Sequence, residues 1–181
     1  MSPVLQSIVE AAVAGTGSTH GWIVSATEAG LTVAAATGPA AARIGERRLT
    51  GTGGTAGFVV GSGQPLALTP RPGDPVLDDE LVTLLGEPLT TVICVPCSTD
   101  QATRGALQVM NKVGGGSYSF DDVELATLLA TVAGSALESS SPGQPVRSPA
   151  DLSGALSRLA DADGGRYARV AVVIDALLDG A

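Results

Sequence analysis

The segment Cys94-Val95-Pro96-Cys97 contains residue types that could carry out thiol chemistry. Two thiols with this spacing occur in thiol oxidoreductases, where the first cysteine begins a helix and the helix dipole lowers its pKa. Here the flanking residues are apolar and β-branched, which predicts a strand. Side chains three residues apart in a strand point to opposite faces. We therefore expect two structural thiols, with a thiol-based redox sensor or enzyme that uses Cys94 and Cys97 as an alternative.

A second chemical pattern is the glycine-rich stretch GTGGTA at residues 51–56. It satisfies the dinucleotide-binding pattern G-x-G-x-x-G/A, and Asp74 follows near the distance expected for a ribose contact. That pattern requires a buried strand before the first glycine and a crossover helix after it. Neither is predicted here, so we do not expect a dinucleotide site. The N–H groups at the start of the short helix could still contact an anionic group of a ligand.

The only lysine of the chain, Lys112, ends an apolar run and precedes a loop of three glycines. After the loop, Ser119 and Asp122 have the spacing of a capping box at a helix start. A lysine and a carboxylate on the two sides of a flexible loop can hold the strand end against the helix. We therefore predict that Lys112 and Asp122 form a structural ion pair.

The remaining polar residues do not suggest catalysis. One histidine and two cysteines cannot complete a structural zinc site. We expect His20, which precedes a predicted strand, to be a surface or capping residue. No Ser/His/Asp set lies near a plausible turn, so the sequence predicts no catalytic residue and no metal site, and it implies no cofactor.

The net charge of −8 argues against binding to the phosphates of nucleic acids or to anionic membranes. No apolar stretch approaches the 18 residues that a membrane-spanning helix would need. The first fifteen residues have apolar positions at helical spacing but no basic flank, which favours an amphipathic helix over a signal peptide. We expect a cytoplasmic protein with neither nucleic acid nor membrane as a partner.

The periodicity of apolar residues predicts helices on the outside and strands joined by hairpins between them. This pattern is typical of an α+β fold with an antiparallel sheet. We predict a main domain over residues 1–138, a linker over 139–149 and a C-terminal helical hairpin over 150–181. The first predicted helix of the main domain begins at Pro3, and three further helices cover residues 55–60, 76–86 and 119–138. The predicted strands lie within residues 21–37, 45–50, 64–68, 89–97 and 103–112.

The segment LQVMNKVGGGSYSFDDVELATLLATVAGSALE closely resembles the end of a GAF domain. Many members of that family have Asn-Lys, a loop, an aromatic residue and then an aspartate, and the corresponding residues here are Asn111, Lys112, Tyr118 and Asp122. Residues 51–68 and 90–97 resemble earlier parts of the same domain, so the resemblance covers roughly residues 5–138.

The resemblance implies an antiparallel sheet of about six strands, flanked by terminal helices. It also implies that the Lys112–Asp122 pair braces the loop away from any ligand. In the phosphodiesterase branch a further acidic residue completes a signature of cyclic-nucleotide binders, and Val123 stands there instead. The free-methionine-sulfoxide reductases of the family use a cysteine pattern that is absent here.

We therefore expect a non-catalytic sensory or regulatory domain that binds a small molecule and forms a homodimer through its terminal helices. The ligand pocket should lie between the sheet and the segments 53–58 and 71–85. Acidic residues around it favour an uncharged or cationic ligand. An alternative is a ligand-free module that grips a signalling protein through the C-terminal hairpin. The candidate lining residues are Gly54, Thr55, Phe58, Asp74, Leu77 and Leu81.

Overall fold

The computed structural model describes residues 2–27, 30–49, 54–74, 84–140 and 149–162, together with residues 164, 167, 168 and 171. Its centre is a five-stranded antiparallel sheet with the strand order β2-β1-β5-β4-β3. The strands are β1 (Ser18–Thr27), β2 (Gly30–Thr37), β3 (Leu66–Leu68), β4 (Val92–Ser98) and β5 (Thr103–Lys112). The helices are α1 (Pro3–Thr16), α2 (Ala41–Ile44), α3 (Gly54–Ser62), α4 (Phe120–Ser140) and α5 (Pro149–Ala162). The predicted α+β class with an antiparallel sheet is confirmed.

The sheet has five full strands where about six were expected, and the difference lies at the edge formed by β2. The predicted strand at residues 45–50 forms a single antiparallel bridge between Arg48 and Thr32. Two backbone hydrogen bonds flank the bridge, from Val33 N to Arg47 O at 2.8 Å and from Leu49 N to Leu31 O at 2.9 Å. The segment therefore extends the sheet without the length of a regular strand.

Both faces of the central strands are covered, which explains the unbroken apolar run of β4. Side chains alternate between the two faces, so that Val92 and Cys94 point one way and Ile93, Val95 and Cys97 the other. A strand that is buried on both faces reads as a continuous hydrophobic segment. We call the two sides of the sheet the α1/α4 face and the α3 face, after the helices that cover them.

The α1/α4 face is covered by two long helices with small residues against the sheet. Ala126, Ala130 and Ala133 of α4 are fully buried there, and Leu5, Val9 and Ala12 supply the contacts of α1. At Gly134 the backbone of α4 approaches that of β4, since a Cβ atom would lie 2.6 Å from the carbonyl oxygen of Ser98. Small side chains allow this close approach of helix and sheet.

The α3 face is covered by shorter pieces, namely α2, α3 and residues 84–89. Leu84, Leu85 and Leu89 are buried over Trp22 and its neighbours. Leu84 and Leu85 are helical, as expected for the end of the helix predicted at 76–86, but residues 75–83 lie outside the described part of the chain. Among the described residues, the helices on this face are therefore shorter than those on the α1/α4 face.

The chain divides into two compact units, residues 1–140 and residues 141–181. The second unit contains α5, which begins at Pro149, as the predicted hairpin would require. Most of the predicted second helix of that hairpin lies outside the described residues. Among the residues described, no helix is both long enough and apolar enough to cross a membrane.

Candidate functional site

A row of buried polar side chains crosses the α3 face at the centre of the sheet. Trp22, Gln108 and Cys94 are direct neighbours on β1, β5 and β4. The indole N–H of Trp22 donates a hydrogen bond to Oε1 of Gln108. Nε2 of Gln108 donates to Oγ1 of Thr55 at 2.6 Å, and the Cys94 thiol donates to the Thr55 carbonyl at 3.7 Å. Residues of three strands and of α3 are thereby joined within the core.

The row exists because Gln108 has the same orientation as the apolar residues Ala106 and Met110 of β5. Its amide would be costly to bury without partners, since an unsatisfied polar group in a protein interior costs about 1–3 kcal/mol. Trp22 supplies the donor for the amide oxygen, and Thr55 supplies the acceptor for the amide nitrogen. All three side chains are almost fully buried. Sequence analysis did not single out Gln108, although its place in the alternation of β5 was a usable signal.

The structure places the predicted pocket residues in different surroundings. Thr55 is a buried residue of α3, and Gly54 begins that helix and is partly buried. Phe58 is 51% exposed, so its ring lies on the outer side of α3 instead of lining the interior. Asp74 is partly buried and closes a turn with Arg71. The other two predicted residues, Leu77 and Leu81, lie outside the described residues.

The two thiols lie on opposite faces of β4, as the strand assignment predicted. Cys94 belongs to the core of the α3 face and Cys97 to that of the α1/α4 face. Burial raises the pKa of Cys97 to about 12 and raises the pKa of Cys94 well above its usual value. Because the thiolate is the reactive form of cysteine, neither side chain is poised for nucleophilic chemistry in the folded protein.

His20 is buried, so the expectation of a surface or capping histidine was wrong. Its side chain has the orientation of Trp22 on β1, and its Nε2 lies 2.6 Å from Oε1 of Glu87. The same carboxylate oxygen accepts a hydrogen bond from Nδ2 of Asn111 at 2.9 Å. The hydrogen bonds from Asn111 and from His20 lower the pKa of Glu87. This cluster connects residues 84–91 to the ends of β1 and β5.

Asn111 holds the cluster together through an unusual backbone conformation. Its φ is 57°, in the left-handed region that asparagine tolerates better than most residues. Its Oδ1 accepts hydrogen bonds from the backbone N–H and the hydroxyl of Thr90, and its Nδ2 also donates to the carbonyl of Pro88. A single side chain thus satisfies several polar groups of the segment that enters β4.

Lys112 and Asp122 are in contact on the opposite side of the strand end. Nζ of Lys112 lies 2.5 Å from Oδ2 of Asp122, donates to the carbonyl of Thr16 at 3.3 Å and lies 5.2 Å from the ring centroid of Tyr118. Burial favours the neutral carboxyl of Asp122, but hydrogen bonds from Lys112 and Ser119 outweigh that effect and lower its pKa.

Comparison with known proteins decides the family. The family model described as "GAF domain" matches residues 2–138. The chain belongs to the GAF domain family. A search of curated proteins finds no match.

Solved structures of GAF domains share the fold. The second GAF domain of DevS from Mycobacterium smegmatis is 18% identical, covering 76% of this chain and 93% of that one, with a TM-score of 0.59. A GAF domain of a phosphoenolpyruvate-protein phosphotransferase from Coxiella burnetii is 15% identical over 75% and 80% of the two chains, with a TM-score of 0.65.

The GAF fold also occurs in an enzyme. A type II free methionine-R-sulfoxide reductase from Thermoplasma acidophilum is 11% identical over 74% of this chain and 89% of that one, with a TM-score of 0.61. At these identities the likeness shows the fold alone. In many relatives the GAF domain is a sensory or regulatory module, so the function of this one must be argued from its own residues.

The Lys112–Asp122 pair should stabilise this GAF domain measurably. The two side chains are 25% and 12% exposed, so removing one partner leaves a partly desolvated charge behind. We expect Lys112→Met or Asp122→Leu alone to lower the free energy of unfolding by roughly 1–3 kcal/mol. Urea denaturation of both single variants and the double variant gives the coupling energy. Effects that add within about 0.3 kcal/mol would mean that the pair does not interact.

Glu87 should make stability depend on acidic pH. Its pKa in the folded protein lies below the ordinary value of 4.5. The stability from its ionised form is therefore fully present above that value and is lost as the pH falls through the lower folded pKa. Urea unfolding across that range should show a smaller loss for Glu87→Gln than for the wild-type chain. Glu124→Gln, at an exposed position of α4, is the control, and identical profiles for all three proteins would contradict the prediction.

Proposed function

We propose that this chain is a non-catalytic sensory or regulatory GAF domain that binds a small molecule on its α3 face. The supporting observation is the buried polar row formed by Trp22, Gln108 and Thr55. Small-molecule sites are mostly apolar, with a few polar groups that fix the orientation of the ligand. The amide and the hydroxyl can serve as donor or acceptor once a ligand replaces their present partners, and aliphatic side chains surround them.

The chemistry of these groups favours a neutral or cationic ligand. An amide, a hydroxyl and an indole N–H carry no formal charge that would balance an anion. The chain has a net charge of −8. Asp74 is partly buried, and Arg71 near it is exposed. A cyclic nucleotide, whose phosphate needs a cationic or N–H-rich partner, is therefore not the ligand that we propose.

The burial of the two thiols supports the proposal that the domain is not catalytic. Cys94 and Cys97 are buried, and their raised pKa values disfavour the thiolate at neutral pH. No group of three metal-binding side chains occurs among the described residues. A redox sensor or enzyme would need one thiol to be accessible and acidic, so we regard that alternative as the weaker one.

Native mass spectrometry of the freshly purified chain tests the ligand proposal. We expect a noncovalent adduct of small mass, which Thr55→Val should weaken because Gln108 loses its hydroxyl partner. Thr131→Val, at an exposed position of α4, removes a similar hydroxyl from the other side of the domain and should leave the adduct unchanged. A bare chain in every preparation, with no melting shift from any compound of a metabolite collection, would favour the ligand-free interaction module.

We also propose that two copies of the domain pair through α1 and α4. These helices lie side by side, since a Cβ atom at Gly15 would meet Cδ2 of Leu125 at 2.5 Å. Their outer surface carries Val4, Leu128 and Val132, which are 55%, 63% and 54% exposed. Leu128 and Val132 are one helical turn apart and thus form a ridge. On α1, Ile8 and Val9 are buried against the sheet and do not contribute to this surface.

Light scattering on the full chain tests the pairing. We expect a dimer for the wild-type chain and a monomer for the variant with Leu128→Glu and Val132→Glu, since opposed copies would bury like charges. Phe58→Glu changes an equally exposed apolar residue on the α3 side and should remain dimeric. A chain that ends at Ser140 should also be a dimer. A monomeric full chain with a dimeric truncation would instead assign the C-terminal segment to covering this surface.

A further inference from the structure

The helix α3 is held to the sheet by few side chains. Its buried residues are Thr55, Ala56 and Val59, whereas α1 buries the side chains of Leu5, Ile8, Val9, Ala12 and Thr16. Val59 is the only fully buried large apolar side chain of the helix, Val60 packs against the core while partly buried, and Phe58 points outward. Elements with few buried apolar contacts open at low free-energy cost while the rest of a protein stays folded.

The composition of α3 also favours opening. Three of its nine residues are glycine, namely Gly54, Gly57 and Gly61, and glycine is the least favourable helix residue after proline. Both ends lie at glycines in the left-handed region, with φ of 70° at Gly54 and 67° at Gly63. Glycine changes its backbone angles without a side-chain penalty, so both ends can act as hinges.

Thr55 is the buried polar anchor of this helix among the described residues. Its hydroxyl accepts the hydrogen bond from Gln108 at 2.6 Å, and its carbonyl accepts from the Cys94 thiol. Both partners lie in the middle of the sheet. When α3 leaves, Gln108 keeps its contact with Trp22, and the thiol of Cys94 loses the helix that covers it.

We propose that α3 is a latch, which opens as a unit about Gly54 and Gly63, is fastened by Thr55, and exposes the middle of the α3 face. This inference rests on the proposed function in that the latch is the entrance of the small-molecule site. It goes further by naming the moving element, its hinges and the hydrogen bond that keeps it closed.

The two cysteines are natural reporters of this motion. They are three residues apart on β4, but Cys94 lies under α3 and Cys97 lies under the long helices of the α1/α4 face. Opening of α3 exposes Cys94 alone. The thiol at position 97 becomes accessible only when the α1/α4 face separates or the domain unfolds.

Thiol labelling of two variants of the full chain provides the test. Cys97→Ala retains the thiol under α3, and Cys94→Ala retains the other. We expect Cys94 to react with excess maleimide at least about tenfold faster than Cys97 in the absence of denaturant. The labelling rate of Cys94 should depend little on urea concentration at low urea, because local opening exposes little surface. The labelling rate of Cys97 should rise steeply with urea concentration. Hydrogen exchange of the wild-type α3 amides, faster than that of β5, is a second measurement independent of these substitutions.

Further substitutions separate local opening from global unfolding. Thr55→Val should accelerate labelling of Cys94 about tenfold or more, since it leaves the Gln108 amide without its acceptor, and Thr55→Ser should restore the slow rate. Leu137→Ala weakens the α1/α4 core, where Leu137 is 4% exposed, and should accelerate Cys97 alone. Equal rates and equal urea slopes for the two thiols would overturn the latch.

The failure of the latch and the failure of the proposed function have different signatures. If Cys94 reacts through local opening but no compound binds, the latch stands and the small-molecule function does not. If a compound binds while Cys94 reacts only on global unfolding, the function stands and α3 is not its entrance. If the latch and the small-molecule function are both correct, saturating ligand should slow the labelling of Cys94 at least about tenfold. The dependence of the Cys97 labelling rate on urea concentration at low denaturant should not change.

Discussion

The burial of both faces of β5 is the constraint on which the rest of this domain depends. From Gly105 to Asn111 no residue of the strand is open to solvent, so each side chain must find its partners inside the protein. The apolar residues do so by packing against α1 and α4 on one side and against shorter segments on the other. Gln108 cannot pack in this way, and its amide therefore fixes the positions of Trp22 and Thr55. A single polar residue in a central strand thus adds a hydrogen bond to the attachment of α3, beside the packing of Ala56 and Val59.

The helices that cover the two faces of the sheet differ in length and in composition. The α1/α4 face has helices of 14 and 21 residues, with alanines that fit closely against β4 and β5. In the part of the chain that the structure describes, the α3 face has a helix of 9 residues with three glycines and a helix of 4 residues. In this domain the difference follows from the distribution of alanine, glycine and leucine along the chain.

The parts predicted from sequence were those that follow from periodicity. The amphipathic helices, the paired strands of the centre and the opposite orientation of Cys94 and Cys97 require only the repeat lengths of helix and strand. Periodicity did not predict the contacts of polar residues whose partners are distant in sequence. His20 was expected at the surface because its partner Glu87 is 67 residues away, and Gln108 was passed over because Thr55 is 53 residues away. Their positions in the alternation of β1 and β5 marked them as inward-facing, but only the tertiary structure supplies what they face.

The pair Asn111-Lys112 shows how one strand end can secure both faces. Neighbouring residues of a strand point to opposite sides. Asn111 reaches Glu87 and Thr90 in the segment that closes the α3 side, while Lys112 reaches Asp122 at the start of α4. Asn111 has a left-handed conformation one residue before the end of β5, and the three-glycine loop then carries the chain to α4. We propose that the only lysine of the chain has a structural role at this position. The long cationic side chain of Lys112, at the last residue of β5, spans the distance to the start of α4. The side-chain amide of Asn111 makes hydrogen bonds to Glu87 and Thr90 on the other face.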